Sequence, residues 1–299
     1  MVQLPSVGNR VSIRYRSADG LTDVIGHIEA VSPLVRVRTK SDGVIDISPA
    51  TIVSVQELSH RTVRNSEIRA LEHAAALAWP GTAQQWVGGW FLRAADGHTS
   101  RANSAVPLQL SATLAELPAI IDWYRARELP AWLAVPERLL RITAVGAKAN
   151  RVMVCDISAR NTSPAVTLAD SPDTSWLTLY ERQVPVEVLT AVTDGEVTFA
   201  SITDASAVGV AVGRGAVTAA PDGTRWLGVT SVRVADARRR QGHAQTLCAA
   251  LMNWGAERGA TRCYVQVLVD NTPAIRLYES MGFALHHRVS YVAAESLLA

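Results

Sequence analysis

The chain has 299 residues, of which 48% are hydrophobic and 19% charged. This is enough for about two domains of roughly 150 residues each, with a sizeable core, and it excludes a disordered chain. With 29 Lys and Arg against 27 Asp and Glu, the net charge is +2, which excludes a uniformly basic nucleic-acid surface.

Met1 to Pro5 lack the basic start and apolar run of a secretory leader. No stretch reaches the roughly 18 apolar residues of a membrane span, so the expectation is a cytoplasmic protein without a membrane partner. Residues 1–58 read as short strands: Arg10 to Arg16, Leu34 to Thr39, Val44 to Ile47 and Ile52 to Val55, with turns at Asp19-Gly20 and Asp42-Gly43. Strands about ten residues apart with turn chemistry between them predict a small antiparallel barrel. The segment resembles a Src-homology-3-like barrel. Arg10, Arg14, Arg16, Arg36, Arg38 and Lys40 alternate along its strands and predict a solvated sheet face. The competing reading is a basic binding face.

Residues 59–66 read as a linker, with Ser66 as the N-cap of a helix reaching about Ala78 and stopped by Pro80-Gly81. Strands are expected over Trp86 to Ala94 and Arg101 to Leu108, then a helix from about Leu114 to Glu128. Short strands near Trp132 to Val135 and Arg151 to Val154 complete a middle α/β unit, 64–160, that has no Gly-rich loop. Residues 162–175, rich in Ser, Thr, Pro and Asp, read as a second linker before a third unit, 170–299. That unit predicts a helical stretch over Trp176 to Thr190, strands Val197 to Thr203 and Ala207 to Val212, and a turn at Pro221 to Thr224. Beyond the turn it predicts strand Trp226 to Val234, helix Gly242 to Arg258, strand Arg262 to Val269, helix Pro273 to Met281 and strand Ala284 to Val292.

The junction from Val232 to Ala244 carries the chemistry. An apolar strand ends, Arg238, Arg239 and Arg240 cross a loop, and Gly242 opens a helix whose apolar face holds Leu247, Leu251 and Trp254. A helix start offers unpaired N–H groups and partial positive charge, and glycine lets a ligand approach, so the junction is suited to a pyrophosphate. No P-loop, dinucleotide fingerprint, nucleophile elbow or H-E-x-x-H motif occurs. About 30 residues on, Asn271 to Phe283 place Thr272 as a helix cap, Pro273 in the first turn and Gly282 at the end. Cys155, Cys248 and Cys263 have no metal-ligand spacing, so neither a metal nor a disulfide framework is expected, and Cys248 and Cys263 read as core.

Together these two segments resemble the GNAT superfamily of acetyl-CoA-dependent N-acetyltransferases. Arg239, Arg240, Gln241, Gly242, His243 and Ala244 match its Q/R-x-x-G-x-G/A loop. Asn271, Ala274, Tyr278, Gly282 and Phe283 match its second signature. The clear resemblance covers about 196–292, and 64–160 is similar to a degenerate second GNAT half that should not bind CoA. It implies an α/β (α+β) fold in tandem, with a mixed, mostly antiparallel central sheet flanked by helices, behind the small all-β barrel. It implies acetyl-CoA as co-substrate and an amine, small molecule or protein lysine, as acceptor. Val232, Arg233 and Val234 would pair with pantetheine, with the amide near Val234 as oxyanion donor. The loop 239–244 would hold the pyrophosphate, Asn271 and Ala274 would line the arm, and Tyr278 would be the general acid to the thiolate.

The family's frequent glutamate is missing from Trp226 to Ser231, which leaves Glu196, His286 and His287, or an ordered water chain, as candidates for the base. That gap also admits a CoA-responsive binding protein that does not turn over and recruits a partner through its barrel. The acceptor's identity and the oligomeric state, oligomers included, stay open.

Overall fold

A computed structural model describes residues 4–18, 20–59, 61–142, 146–158 and 165–298. Asp19 of the first expected turn, His60 of the first linker and 162–164 of the second lie outside the described residues. The chain forms two compact units. One comprises the residues up to Val63 with Leu285–His287, the other Arg64–Ala284 with the residues from Arg288 on.

The first unit holds a five-stranded antiparallel sheet: β1 (Arg10–Ser17), β2 (Gly20–Ala30), β3 (Val35–Thr39), β4 (Val44–Ile47) and β5 (Ile52–Glu57), in the order β4-β3-β2-β1-β5. Val11, Ile13, Val24, Ile28, Val35, Val37 and Ile47 form its core. The longest strand, β2, escapes the sequence pattern because Leu21 and Ile25 put apolar side chains on its outer face and break the alternation. Three of the arginines on the sheet face are charge-balanced. Arg14 grips Asp23 at 2.8 and 2.7 Å, Arg36 grips Asp46 at 2.8 and 2.9 Å, and Arg38 pairs with Glu29. Arg14 and Asp23, like Arg36 and Asp46, are directly opposite cross-strand partners. The guanidinium hydrogen bonds hold the carboxyls of Asp23 and Asp46 below the ordinary range.

The second unit begins with α1 (Asn65–Ala78), so Ser66 lies inside the first turn; the start is closed by Glu67, which accepts from the Arg64 N–H at 2.8 Å. The strand expected over 86–94 is a hairpin of β6 (Ala83–Val87) and β7 (Trp90–Ala94), because Gly88 and Gly89 take positive φ of 51° and 94°. Of 101–108 only β8 (Val106–Pro107) is a strand; Asn103 holds the preceding loop through its amide to the backbone of Ala95, Gly97, His98 and Thr99. These three strands form a small sheet of their own, followed by α2 (Leu117–Arg125).

Eight strands make the main sheet. They are β9 (Trp132–Pro136), β10 (Lys148–Asp156), β11 (Val166–Ala169), β12 (Glu196–Thr203), β13 (Gly209–Ala219), β14 (Arg225–Val234), β15 (Arg262–Leu268) and β16 (Ala284–Ala293). Their order is β11-β12-β13-β14-β15-β10-β16-β9. Four helices interrupt them: α3 (Thr174–Tyr180), α4 (Val186–Thr190), α5 (His243–Glu257) and α6 (Thr272–Ser280). The stretch 176–190 breaks in two because Glu181 turns left-handed at φ 58° and Pro185 follows. Within the expected second linker, Val166–Ala169 pairs with β12, so apolar residues among Ser, Thr and Asp decided the outcome there.

The expected boundary at 160–170 does not separate two sheets. β10, from the middle segment, pairs antiparallel with β15 over Asn150 to Asp156 and stands between β15 and β16. Its run Val152, Met153, Val154, Cys155 is buried on both faces, as suits a strand with neighbours on both sides.

The two faces of the sheet are covered by different helices. Gly213 and Gly215 of β13 back onto Leu247 and Leu251 of α5. Arg214, between them, points the other way, toward α1 and α4, and is fully buried. Its Nε donates to the Leu189 carbonyl at 2.6 Å and one Nη donates to those of Ala78 and Ala191, both at 2.9 Å. Its plane lies 4.2 Å from the Trp79 ring centroid. Burial pushes this guanidinium down to about 9. Replacing Arg214 by Ala strands three carbonyls at helix ends, so a loss of about 3–5 kcal/mol is expected in a denaturant titration. A loss below about 1 kcal/mol would deny the bridge its role.

Candidate active site

β14 and β15 run parallel, yet pair only from Trp226, Leu227 and Gly228 to Arg262, Cys263 and Tyr264. Beyond Gly228 they part, and each leaves a backbone edge without a ladder partner on that side. The gap continues into a cleft of about 1350 Å³. On its other edge β14 stays paired to β13, but the register shifts: Thr230 faces Arg214 and Arg233 faces Val212, so Ser231 and Val232 both stand opposite Gly213. Ser231 takes φ 56°. This bulge inverts the alternation, so Val229 and Val232 both turn to the α5 side.

At the C-terminal end of β14 the chain turns through Asp236 to Arg238 into the N-terminus of α5. Gly242 caps that helix at φ 84°, with no side chain satisfying the first N–H groups and nothing within 4 Å of where a Cβ would stand. The site is therefore open to an anion. Carboxylates arrange the loop: Asp236 pairs with Arg233 at 3.4 Å and with Arg239 at 2.7 Å, and Asp204 pairs with Arg238 at 2.7 Å. Arg240 has no partner among the described residues, and neither does Arg276 of α6, so both are available to a ligand at this end of the cleft.

α6 lies beside α5. Asn271 is its N-cap, accepting from the Ala274 N–H at 3.2 Å, which displaces the expected cap Thr272 into the first turn. Tyr278 is buried on the inner face, edge-on to Phe283 at 5.4 Å, and also lines the cleft. The opposite, α1 and α3, side of the gap is lined by Trp79, Arg101, Lys148, Tyr180 and Arg182. The cleft thus runs through the sheet from one face to the other.

Two family models match the chain. One, described as "Probable histone acetyltransferase Rv0428c C-terminal", covers residues 65–292; the other, the "Rv0428c N-terminal Sm-like domain", covers 5–56. The chain is 46% identical over 304 aligned residues to the protein of that name from Mycobacterium tuberculosis, covering 99% of this chain and 98% of the relative. The chain belongs to the Rv0428c family. It is 26% identical to the N-acetyltransferase YobR of Bacillus subtilis over 253 residues, covering 73% of this chain and 95% of that one. Two solved structures share the fold. A GCN5-related N-acetyltransferase from Kribbella flavida has a TM-score of 0.53 at 16% identity, over 77% of this chain and 95% of that one. A GNAT-family acetyltransferase from Novosphingobium aromaticivorans has 0.51 at 18%, over 73% and 94%. This Rv0428c-family protein is therefore an N-acetyltransferase of GNAT fold. Its small β domain is Sm-like, where the sequence suggested a Src-homology-3-like barrel.

In this acetyltransferase, Val232, Arg233, Val234, Arg239, Arg240, Gly242, His243, Ala244, Asn271, Ala274 and Tyr278 all line one cleft. Gln241 is exposed beside it, 3.3 Å from the His243 ring. The candidates for the base lie elsewhere. Glu196 is exposed and paired with Arg258 at 2.9 Å. His286 and His287 are buried with their Nδ1 atoms 2.8 Å apart, and neither lines the cleft. The sequence missed Glu181, the one carboxylate lining the cleft among the described residues, which pairs with Arg233 of β14. Only the folded hairpin of α3 onto β14 brings it there, 52 residues away.

Burial drives the Tyr278 phenol well above its ordinary value of 10, with weaker contributions from Cys248 and Cys263. Its folded value exceeds its unfolded one, so the hydroxyl stays protonated across the neutral and mildly alkaline range. The contribution to stability is full below about pH 10 and declines above it, as the unfolded chain ionises first. A difference absorbance titration of wild type against Tyr278→Phe should show no phenolate from this residue below about pH 10. A midpoint near 9 would refute the burial argument.

Proposed function

We propose that this acetyltransferase moves an acetyl group from acetyl-CoA directly to a primary amine. The observation that carries the reading is the opened β14–β15 pair leading straight to the uncapped N-terminus of α5. A pantetheine arm needs an unpaired strand edge at one end and a pyrophosphate cradle at the other, and Val232 to Ala244 offer both. The residues fit the group: Gly242 leaves its space empty, the first-turn N–H groups are unspent, and Arg240 and Arg276 add charge.

Acetyl-CoA supplies an acyl group activated as a thioester. The amide near Val234, where β15 no longer pairs with β14, is the donor for the charge that grows on the acyl oxygen; fixed backbone dipoles in a closed site act without reorganisation. The amine enters from the α1 and α3 side, forms the new bond to carbon and loses one proton, for which Glu181 is the carboxylate at hand. The carbon–sulfur bond breaks, and the sulfur leaves toward Tyr278. Because that phenol holds its proton tightly, its part is to donate a hydrogen bond to the sulfur, and the thiolate's final proton comes from solvent. The name of the mycobacterial relative puts a histone lysine among the amines to try.

Calorimetry with acetyl-CoA tests the donor site. Micromolar binding is expected for the wild type, with complete loss in Gly242→Glu and about a tenfold loss in Arg240→Glu. No binding to the wild type would overturn the reading. In steady state, Tyr278→Phe should lower kcat about tenfold to a hundredfold with little change in acetyl-CoA affinity. Unchanged kcat would remove Tyr278 from the chemistry.

A further inference from the structure

The acceptor side of the cleft has a composition that the donor side does not explain. Strand alternation assigns its walls. In β10, Val152 and Val154 join the core under α1, so Asn150 and Lys148 share that face. In β15, Tyr264 lies on it and Gln266 follows two residues on; in β14, Trp226 lies on it and Thr230 has the same parity, ahead of the bulge. Trp79 and Tyr180 pack in the core beneath α3.

Three cations meet here. Lys148 touches Ser100 and stands 5.0 Å from the Tyr291 ring centroid. Arg101 lies 5.7 Å from the Trp79 ring and Arg182 lies 5.9 Å from the Tyr180 ring. None has a carboxylate partner among the described residues. The one carboxylate lining the cleft among the described residues, Glu181, pairs with Arg233. Burial lowers the Lys148 ammonium below its ordinary value, and Arg101 and Arg182 lower it further, so the three sense one another. Next to them, Gln266 Oε1 and Thr230 Oγ1 are buried without a hydrogen-bond partner. Buried polar atoms in a native fold are normally satisfied, and because Gln266 and Thr230 line the cleft, a ligand there can complete both.

We infer that the acceptor is an amine that also carries an oxyanion, a carboxylate or a phosphate, which sits among Arg101, Lys148 and Arg182 while its amine meets Gln266 and Thr230 beside the Ser231 bulge. The inference rests on the acetyltransfer reading for the word acceptor, but the binding site it assigns can be measured without the donor. An aromatic face behind each of the three cations holds it in place, and a guanidinium matches a carboxylate or phosphate by paired hydrogen bonds. A neutral alkylamine would leave three like charges uncompensated, and a basic peptide would add to them.

The experiment uses matched pairs: β-alanine against propylamine, and phosphoethanolamine against ethanolamine, with a lysine peptide of basic sequence as the counter-case. Each is titrated calorimetrically into the full-length protein without CoA, then offered with acetyl-CoA while thiol release is followed. The oxyanion-bearing member of each pair should bind and turn over at least about tenfold better than the partner that lacks it. Lys148→Gln and Arg182→Gln, both at exposed positions, should erase that preference and leave the acetyl-CoA dissociation constant unchanged. The carboxylate and phosphate arms distinguish the two oxyanions.

Equal binding within each pair, or better use of the basic peptide, would overturn the assignment. So would variants that weaken acetyl-CoA as much as the anionic amine, since the cations would then belong to the donor. Absence of thiol release with every amine would count against acetyl transfer, while the titrations without CoA would still decide the oxyanion site.

Discussion

Everything at the site follows from three paired residues. β14 and β15 are held parallel by Trp226, Leu227 and Gly228 and by no further rungs, so the sheet is continuous at one end and open at the other. A parallel ladder that continued would seal the cleft. Two features keep it open. The Ser231 bulge re-aims β14 while β13 still grips it, and β10 holds β15 from the far side over seven residues. The opening is therefore a property of the strand order, fixed before any ligand arrives.

The open strands divide the chemistry by face. On the α5 side, uncapped backbone N–H groups and Arg240 line the cleft, and Tyr278 is sealed in apolar surroundings that keep its proton. On the α1 and α3 side, Lys148 and Arg182 line the cleft with aromatic rings behind them. An amine brought among fixed cations is also easier to keep uncharged, since ammonium there meets repulsion. This suits a cleft with a single carboxylate, itself tied to Arg233.

The parts legible in the sequence are local. Gly242 after a basic loop, Asn271 ahead of Pro273, and the apolar face of Leu247, Leu251 and Trp254 declare themselves within a helix turn or two. Contributions from distant segments were not legible. Glu181 reaches the cleft through the packing of α3, and Lys148 through a strand that pairing alone puts beside β15. The strand β2 hid behind its exposed Leu21 and Ile25, and the hairpin at Gly88-Gly89 hid within one apolar run, because both patterns blur the period of two. Asn271 matched the family's motif, yet its oxygen is already occupied in capping α6.

The place of β10 has a consequence for how such a chain comes into being. A ribosome releases residues 148–156 well before 262–268 and 284–293, the two strands between which β10 must lie. Until those emerge, an apolar strand has unpaired edges on both sides, so the nascent chain carries a stretch prone to wrong partners. The sheet closes only when residues 262–293 are free of the exit tunnel. Cutting the gene between the middle and final segments would accordingly yield two fragments with an incomplete sheet each, and the halves could have changed only in step with one another.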